Sequence, residues 1–192
     1  TPLTIIMSYA ELIKIYNSGA NREQIEKYLN KITSSVNILT GLLEDVILVG
    51  KSEEKDIIQN MTDVDIPEVM QKVMDEIKIV EENNHPLEFV NEIKTSRVST
   101  DPKLLRQMTL NLLSNACKYS PKDAPVKLHL MEKDENIELK VIDRGKGISP
   151  EQKKNLFKPF SRDKKFIGVV PGSGLGLTIV KKCADALNAT ID

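Results

Sequence analysis

Apolar residues between positions 25 and 46 recur at alternating steps of four and three: Ile25, Leu29, Ile32, Val36, Leu39, Leu43 and Val46. That spacing keeps one stripe of a helix turned toward a partner and predicts a coiled-coil-like seam. Upstream, Leu3, Ile6, Ala10 and Ile13 share one stripe, and Ile5, Tyr9, Leu12 and Tyr16 share the stripe beside it. An apolar face that wide needs more than one neighbour. The Asn-Ser-Gly-Ala-Asn run at 17–21 breaks the two segments and predicts an antiparallel helical hairpin. One hairpin cannot cover both stripes, so two chains are expected to pair into a four-helix bundle, a homodimer. The alternative is a hairpin that buries its second stripe against the rest of its own chain.

From position 50 the pattern switches to charge, and 50–56 is the best linker. The expected division is a helical hairpin over 1–53 and a second domain over 54–192. Strands are predicted at 57–62, 86–93 and 97–100, and a strand hairpin at 126–131 and 137–142 across 132–136. Helix starts are marked by Asp65 with Glu68, by Asp101-Pro102, and by Ser149 with Gln152, the last opening a helix to Phe157. Asn188 suits a left-handed stop for the last helix, and 189–192 could begin a strand. Helices alternating with hairpin-clustered strands indicate an α+β sandwich.

Three polar constellations stand out against that frame. Asn111, Asn115 and Lys118 sit one or two turns apart on one helical face, extended by Gln107, while Leu104, Leu105, Met108, Leu112 and Ala116 cover much of the rest. The plain alternative is a solvated face. Such faces are usually Glu and Lys, however, and Asn is a poorer helix former. Two neutral amide oxygens and a cation suit a magnesium ion and a phosphate, with Asn115 on the metal and Lys118 on the phosphate.

Asp143 ends the 137–142 strand and is followed by Gly145 and Gly147. A carboxylate there accepts from an exocyclic amine and repels a carbonyl, favouring adenine over guanine. A simple β-turn would read the same way. The third run, Gly172-Ser173-Gly174-Leu175-Gly176-Leu177, leads into an apolar segment, where backbone N–H groups at a helix start can face anionic oxygens. A dinucleotide-binding glycine motif would instead follow a first strand near a domain start. In combination the three runs describe a pocket for ATP with Mg2+.

These runs resemble the N, G1 and G2 boxes of the GHKL ATPase fold, shared by sensor histidine kinases and gyrase-type topoisomerases. The stretch from Phe157 through Phe160 to Arg162 is similar to the F box that opens the ATP lid of the histidine kinases. The resemblance implies nucleotide-site roles for Asn111, Asn115, Lys118, Tyr119, Asp143, Gly145, Gly147, Arg162, Gly172, Ser173, Gly174, Gly176 and Leu177. It places Arg162 near the terminal phosphate and makes Ile148, Phe160 and Leu175 apolar walls or lid anchors. Hydrolases of the superfamily carry Glu at the position of Asn111, where it serves as general base; an Asn cannot take that proton. Slow hydrolysis and phosphoryl transfer to another nucleophile are therefore expected.

The opening Thr1-Pro2-Leu3 is similar to the H-E-x-R-T-P-L start of histidine kinase hairpins, which puts the acceptor histidine one helical turn before Thr1. It also implies a water-positioning role for Thr1 in a reverse phosphatase reaction. The resemblance further implies a response-regulator receiver domain as partner, and a strand pair beyond Asp192 that completes the sheet. A serine kinase of the same fold, or a dimeric scaffold that binds nucleotide without catalysis, are the competing readings.

Charge is balanced, with 27 basic and 28 acidic residues in 192, so nothing points to nucleic acid or anionic lipid. No apolar run is expected to span a bilayer within the chain, in keeping with a cytoplasmic portion. Cys117 and Cys183 lie in helical patterns among Ala and Leu, as reduced core residues do. His85 in a polar turn and His129 in a strand are expected to be structural.

Overall fold

A computed structural model describes residues 1–16, 22–50, 57, 59–80, 85–134, 136–161 and 173–192. The chain forms two compact units, Thr1–Ile47 and Leu48–Asp192.

The first unit is built from α1 (Pro2–Tyr16) and most of α2 (Arg22–Gly50). The rings of Tyr9 and Tyr28 meet across the two helices with centroids 5.3 Å apart. These residues lie at similar distances from the connection, as an antiparallel hairpin requires. The heptad seam divides by exposure. Ile25, Ile32 and Leu39 are half-buried, whereas Leu29, Val36, Leu43 and Val46 are exposed. One expectation needs correcting here: α2 is long and apolar enough, by length and composition alone, to span a membrane. Its apolar residues follow a seam, though, and Glu44 and Asp45 interrupt its last turns, a costly placement in lipid.

The second unit contains β1 (Thr62–Asp65), α3 (Ile66–Val80), β2 (Leu87–Asn91), β3 (Arg97–Thr100), α4 (Pro102–Tyr119), β4 (Val126–Lys133), β5 (Asn136–Ile142), α5 (Pro150–Lys153) and α6 (Gly176–Ala186). β1 and β3 form an antiparallel pair; β2, β4 and β5 form a sheet in that order, parallel then antiparallel. Alternation along β4 turns Val126, Leu128 and Leu130 inward, all fully buried. They pack with Met70, Val73 and Met74 of α3 and Leu113 of α4 in the main core. A second cluster joins Ile57, Leu104, Leu175, Ile179, Cys183 and Ala186, with Leu48 and Val49 at its margin. Leu104 and Leu105 are neighbours in sequence, so α4 is gripped from both sides and held in register.

Caps set the helix starts. The buried carboxylate of Asp101 accepts from the backbone N–H groups of Lys103 (2.8 Å) and Leu104 (3.2 Å), and its second oxygen accepts from Asn60 (2.7 Å). Asp65 accepts from Glu68 N–H, and Ser149 with Gln152 forms a reciprocal capping box. Glu132 accepts from the N–H groups of Thr95 (2.7 Å) and Lys94 (2.8 Å), which holds its carboxyl below the usual carboxylate range.

Four expected elements change. The first strand is not at 57–62 but at Thr62–Asp65, because its partner is β3 while Ile57 is drawn into the second cluster. The helix opened by Ser149 stops at Lys153 instead of reaching Phe157. Beyond it, bonds such as Asn155 N–H to Gln152 O and Lys158 N–H to Asn155 O span three residues, and Pro159 follows. The β4–β5 connection is tighter than 132–136, with Lys133 opposite Asn136. Residues 189–192 form no strand, although Asn188 does stop α6 in the left-handed region, φ 53°.

Candidate functional site

Helix α4 is the spine of the site. Leu105, Thr109, Leu113, Ala116 and Cys117 are buried, so the intervening face carries Asn111 and Asn115, half-buried, and then Lys118 and Tyr119, exposed. The side-chain N–H of Asn111 donates to the Gln107 carbonyl at 3.0 Å, which leaves its amide oxygen facing the start of α6.

Two distant glycine-rich runs meet this face. A Cβ placed on Gly176 would lie 2.8 Å from Asn111 Oδ1 and 3.5 Å from Asn115 Nδ2, so the first residue of α6 sits directly on the amide pair. At the far end of α4, a Cβ on Gly145 would lie 2.8 Å from Asp143 Oδ1 and 3.0 Å from the Tyr119 carbonyl oxygen. A side chain at either position would have to displace a neighbour, Asn111 at Gly176 and Asp143 at Gly145. The Gly145 N–H donates to Asp143 Oδ1 at 2.6 Å, and the Arg144 N–H donates to Ser120 Oγ at 3.3 Å. Gly147 (φ 74°) and Gly174 (φ 77°) take the left-handed region that favours glycine. Asn111 and Tyr119 are eight helical residues apart, roughly 12 Å along the axis. That separation allows one elongated ligand to have its two ends recognised by α4 and the two glycine runs.

The remaining expected residues distribute unevenly. Ser173 Oγ accepts from the Leu175 N–H at 3.3 Å, and Leu177 is half-buried. Leu175 is fully buried in the second cluster, an anchor and not an open wall. Ile148 and Phe160 are exposed, and Phe160 has φ 58°, unusual for a bulky side chain. Arg162 and Gly172 lie outside the described residues. Thr1 belongs to the other unit, where its hydroxyl meets that of Thr4 at 2.6 Å. His85 bonds the Ala124 carbonyl and His129 bonds Glu92, both structural contacts. Among the described residues no group of three or more His, Cys, Asp or Glu could hold a metal. A cation here would rest on the amide oxygen of Asn115 and on ligand oxygens, which suits a hard cation already chelated by phosphate. Two contributors carry no spacing signal in the sequence: Ser120, which bonds the turn after Asp143, and Thr178, whose hydroxyl donates to the Phe157 carbonyl at 3.0 Å.

Residues 100–192 match the family described as histidine kinase-, DNA gyrase B-, and HSP90-like ATPase. The second unit accordingly contains an ATPase domain of that class. The chain is 31% identical over 192 residues to the sensor-like histidine kinase SenX3 of Mycobacterium tuberculosis, covering all of this chain and 46% of that one. It is 40% identical over 114 residues to the sensor protein CiaH of Streptococcus pneumoniae, 59% of this chain and 26% of that one. The solved structure of the Acinetobacter baumannii histidine kinase AdeS superposes with a TM-score of 0.63 at 25% identity, covering 97% of this chain and 84% of that one. Over its whole length the chain is thus similar to histidine kinases, and its second unit carries the ATPase domain of that class. It spans about half the length of SenX3 and about a quarter of CiaH.

Proposed function

We propose that the chain is the catalytic core of a sensor histidine kinase in a two-component system. It binds ATP with Mg2+, passes the γ-phosphoryl group to a histidine, and from there to an aspartate on a response-regulator receiver domain. The observation that carries this reading is the seat of Gly176 on Asn111 and Asn115, which sets a helix N-terminus beside two amide side chains. Phosphate oxygens are favoured at such a position. Asp143, aligned by the Gly145 N–H, reads the adenine amine, with Ile148 as an apolar wall, and Phe160 anchors the lid over the phosphates. Asn115 holds the metal, Lys118 and Arg162 meet phosphate oxygens, and the glycines from 172 to 176 allow close backbone approach. Magnesium, when bound, neutralises phosphate charge. Asn111 supplies no base for water, so the bound nucleotide is kept for transfer.

The helical unit, assigned to 1–53, pairs with a second copy, and 54–192 forms the catalytic domain. Support comes from Leu29, Val36 and Leu43, one heptad apart and all exposed, which leaves an apolar stripe for another chain. Equilibrium sedimentation of a Leu43→Glu variant tests this, since a wild-type dimer that persists unchanged argues against the stripe. Thr1 orients water for the reverse phosphatase step, and the reactions take place on the cytoplasmic side.

The reading is tested by nucleotide titration. Asn115→Ala is expected to abolish magnesium-dependent ATP binding, and unaltered affinity would reject the site. The phosphoprotein should be acid-labile and base-stable, as phosphohistidine is; an acid-stable product would identify a serine kinase instead.

A further inference from the structure

Thr178 is the third residue of α6 and almost fully buried. A helical threonine usually returns its hydroxyl to a carbonyl three or four residues back. Here the hydroxyl reaches the Phe157 carbonyl, 21 positions away in sequence, at 3.0 Å. Around that carbonyl, the turns between Gln152 and Ser161 are closed by bonds of three-residue span, and Phe160 takes its positive φ at their end. Two residues before Thr178, Gly176 sits on Asn111. Thr178 thus joins the turn carrying Phe160 to the helical turn that rests on the amide pair. The adenine end is held separately, by Gly145 against Asp143 and Tyr119 and by Ser120 on Arg144. Thr178 has no part in those contacts.

From this arrangement we infer that Thr178 is a positioning residue for the phosphate end of the ligand. Its hydroxyl sets the 157–161 turn against the start of α6 and thereby raises affinity for the triphosphate without altering recognition of the nucleoside. The inference rests on the ATP-site reading above, and the test separates the two. ATP with magnesium, and adenosine alone, are titrated against the whole chain carrying Thr178→Val or Thr178→Ser. Thr178→Val is expected to weaken ATP roughly tenfold, the scale of one buried hydrogen bond, and to leave adenosine within about twofold. Thr178→Ser, which keeps the hydroxyl, is expected to restore ATP affinity. The inference is overturned if valine leaves ATP binding intact, if ATP and adenosine weaken alike, or if serine fails to restore. Wild-type protein that binds neither ligand would instead defeat the ATP-site reading. Should the valine variant be unfolded, Thr178→Ala is judged by the same criteria. If that also fails to fold, the hydroxyl serves the fold alone and the inference is lost.

Discussion

Replacing Gly176 with alanine is the most direct probe of the site. The added methyl would stand 2.8 Å from Asn111 Oδ1, about 0.6 Å inside ordinary contact. Two groups could yield. Asn111 could rotate, but its bond to the Gln107 carbonyl would break, at a cost of about 1 kcal/mol. Helix α6 could slide, but Ile179 and Cys183 are fully buried in a packed cluster. Overpacking of this kind costs about 1–3 kcal/mol. Alanine also gains up to about 1 kcal/mol over glycine in a helix, and this offsets part of the loss. Folding stability should therefore fall by no more than about 3 kcal/mol. The strain is concentrated where the phosphates are held, so ATP affinity should drop by about 5- to 150-fold, from 1–3 kcal/mol at 1.4 kcal/mol per decade. Calorimetric titration of magnesium-ATP, paired with a thermal melt, reads both quantities. Gly41→Ala is the control, because its new methyl would meet nothing within 4 Å and it lies in α2, in the other unit. It should raise helix stability by up to about 1 kcal/mol and leave ATP affinity unchanged. Wild-type ATP affinity in Gly176→Ala would refute the close approach of α6 to the amide pair.

Three further outcomes are expected. Asn111→Glu supplies the missing base and should raise the rate of ATP hydrolysis, measured as phosphate release; a flat rate counts against the argument from Asn111. Asp101→Ala removes the acceptor for three backbone N–H groups at a buried cap and should cost about 2–4 kcal/mol in chemical denaturation. A loss below about 1 kcal/mol would show that the cap is not the anchor of α4. Glu132→Gln should be less stable than wild type at neutral pH. The Glu132 carboxyl is depressed in the folded state, so its contribution is present above the unfolded value and lost as pH falls through the folded one. The difference between the two proteins should close in acid, and a difference that does not vary with pH would reject the Thr95 and Lys94 contacts as its source.

Local chemistry made much of this protein legible in its residues. The 4-3 seam of α2, the Asp101 and Ser149 caps, the Asn188 stop and the alternation of β4 depend on neighbours within a turn or a strand. The Asn111–Asn115 stripe could be told from a solvated face because two Asn one turn apart are poor helix formers that gain nothing in water. Contacts across long sequence separations were another matter. Nothing near Ile57 shows that it enters the Leu104–Leu175 cluster and leaves the first strand to Thr62. Nothing near Pro150 shows that the helix ends within four residues, because Pro159 and the Thr178–Phe157 bond act from beyond it. The seat of Gly176 on Asn111 follows from packing between α4 and α6 through Leu104, Ile179 and Cys183. Such a contact joins residues more than sixty positions apart, about whose distance local propensity carries no information; close packing of the core brings them together.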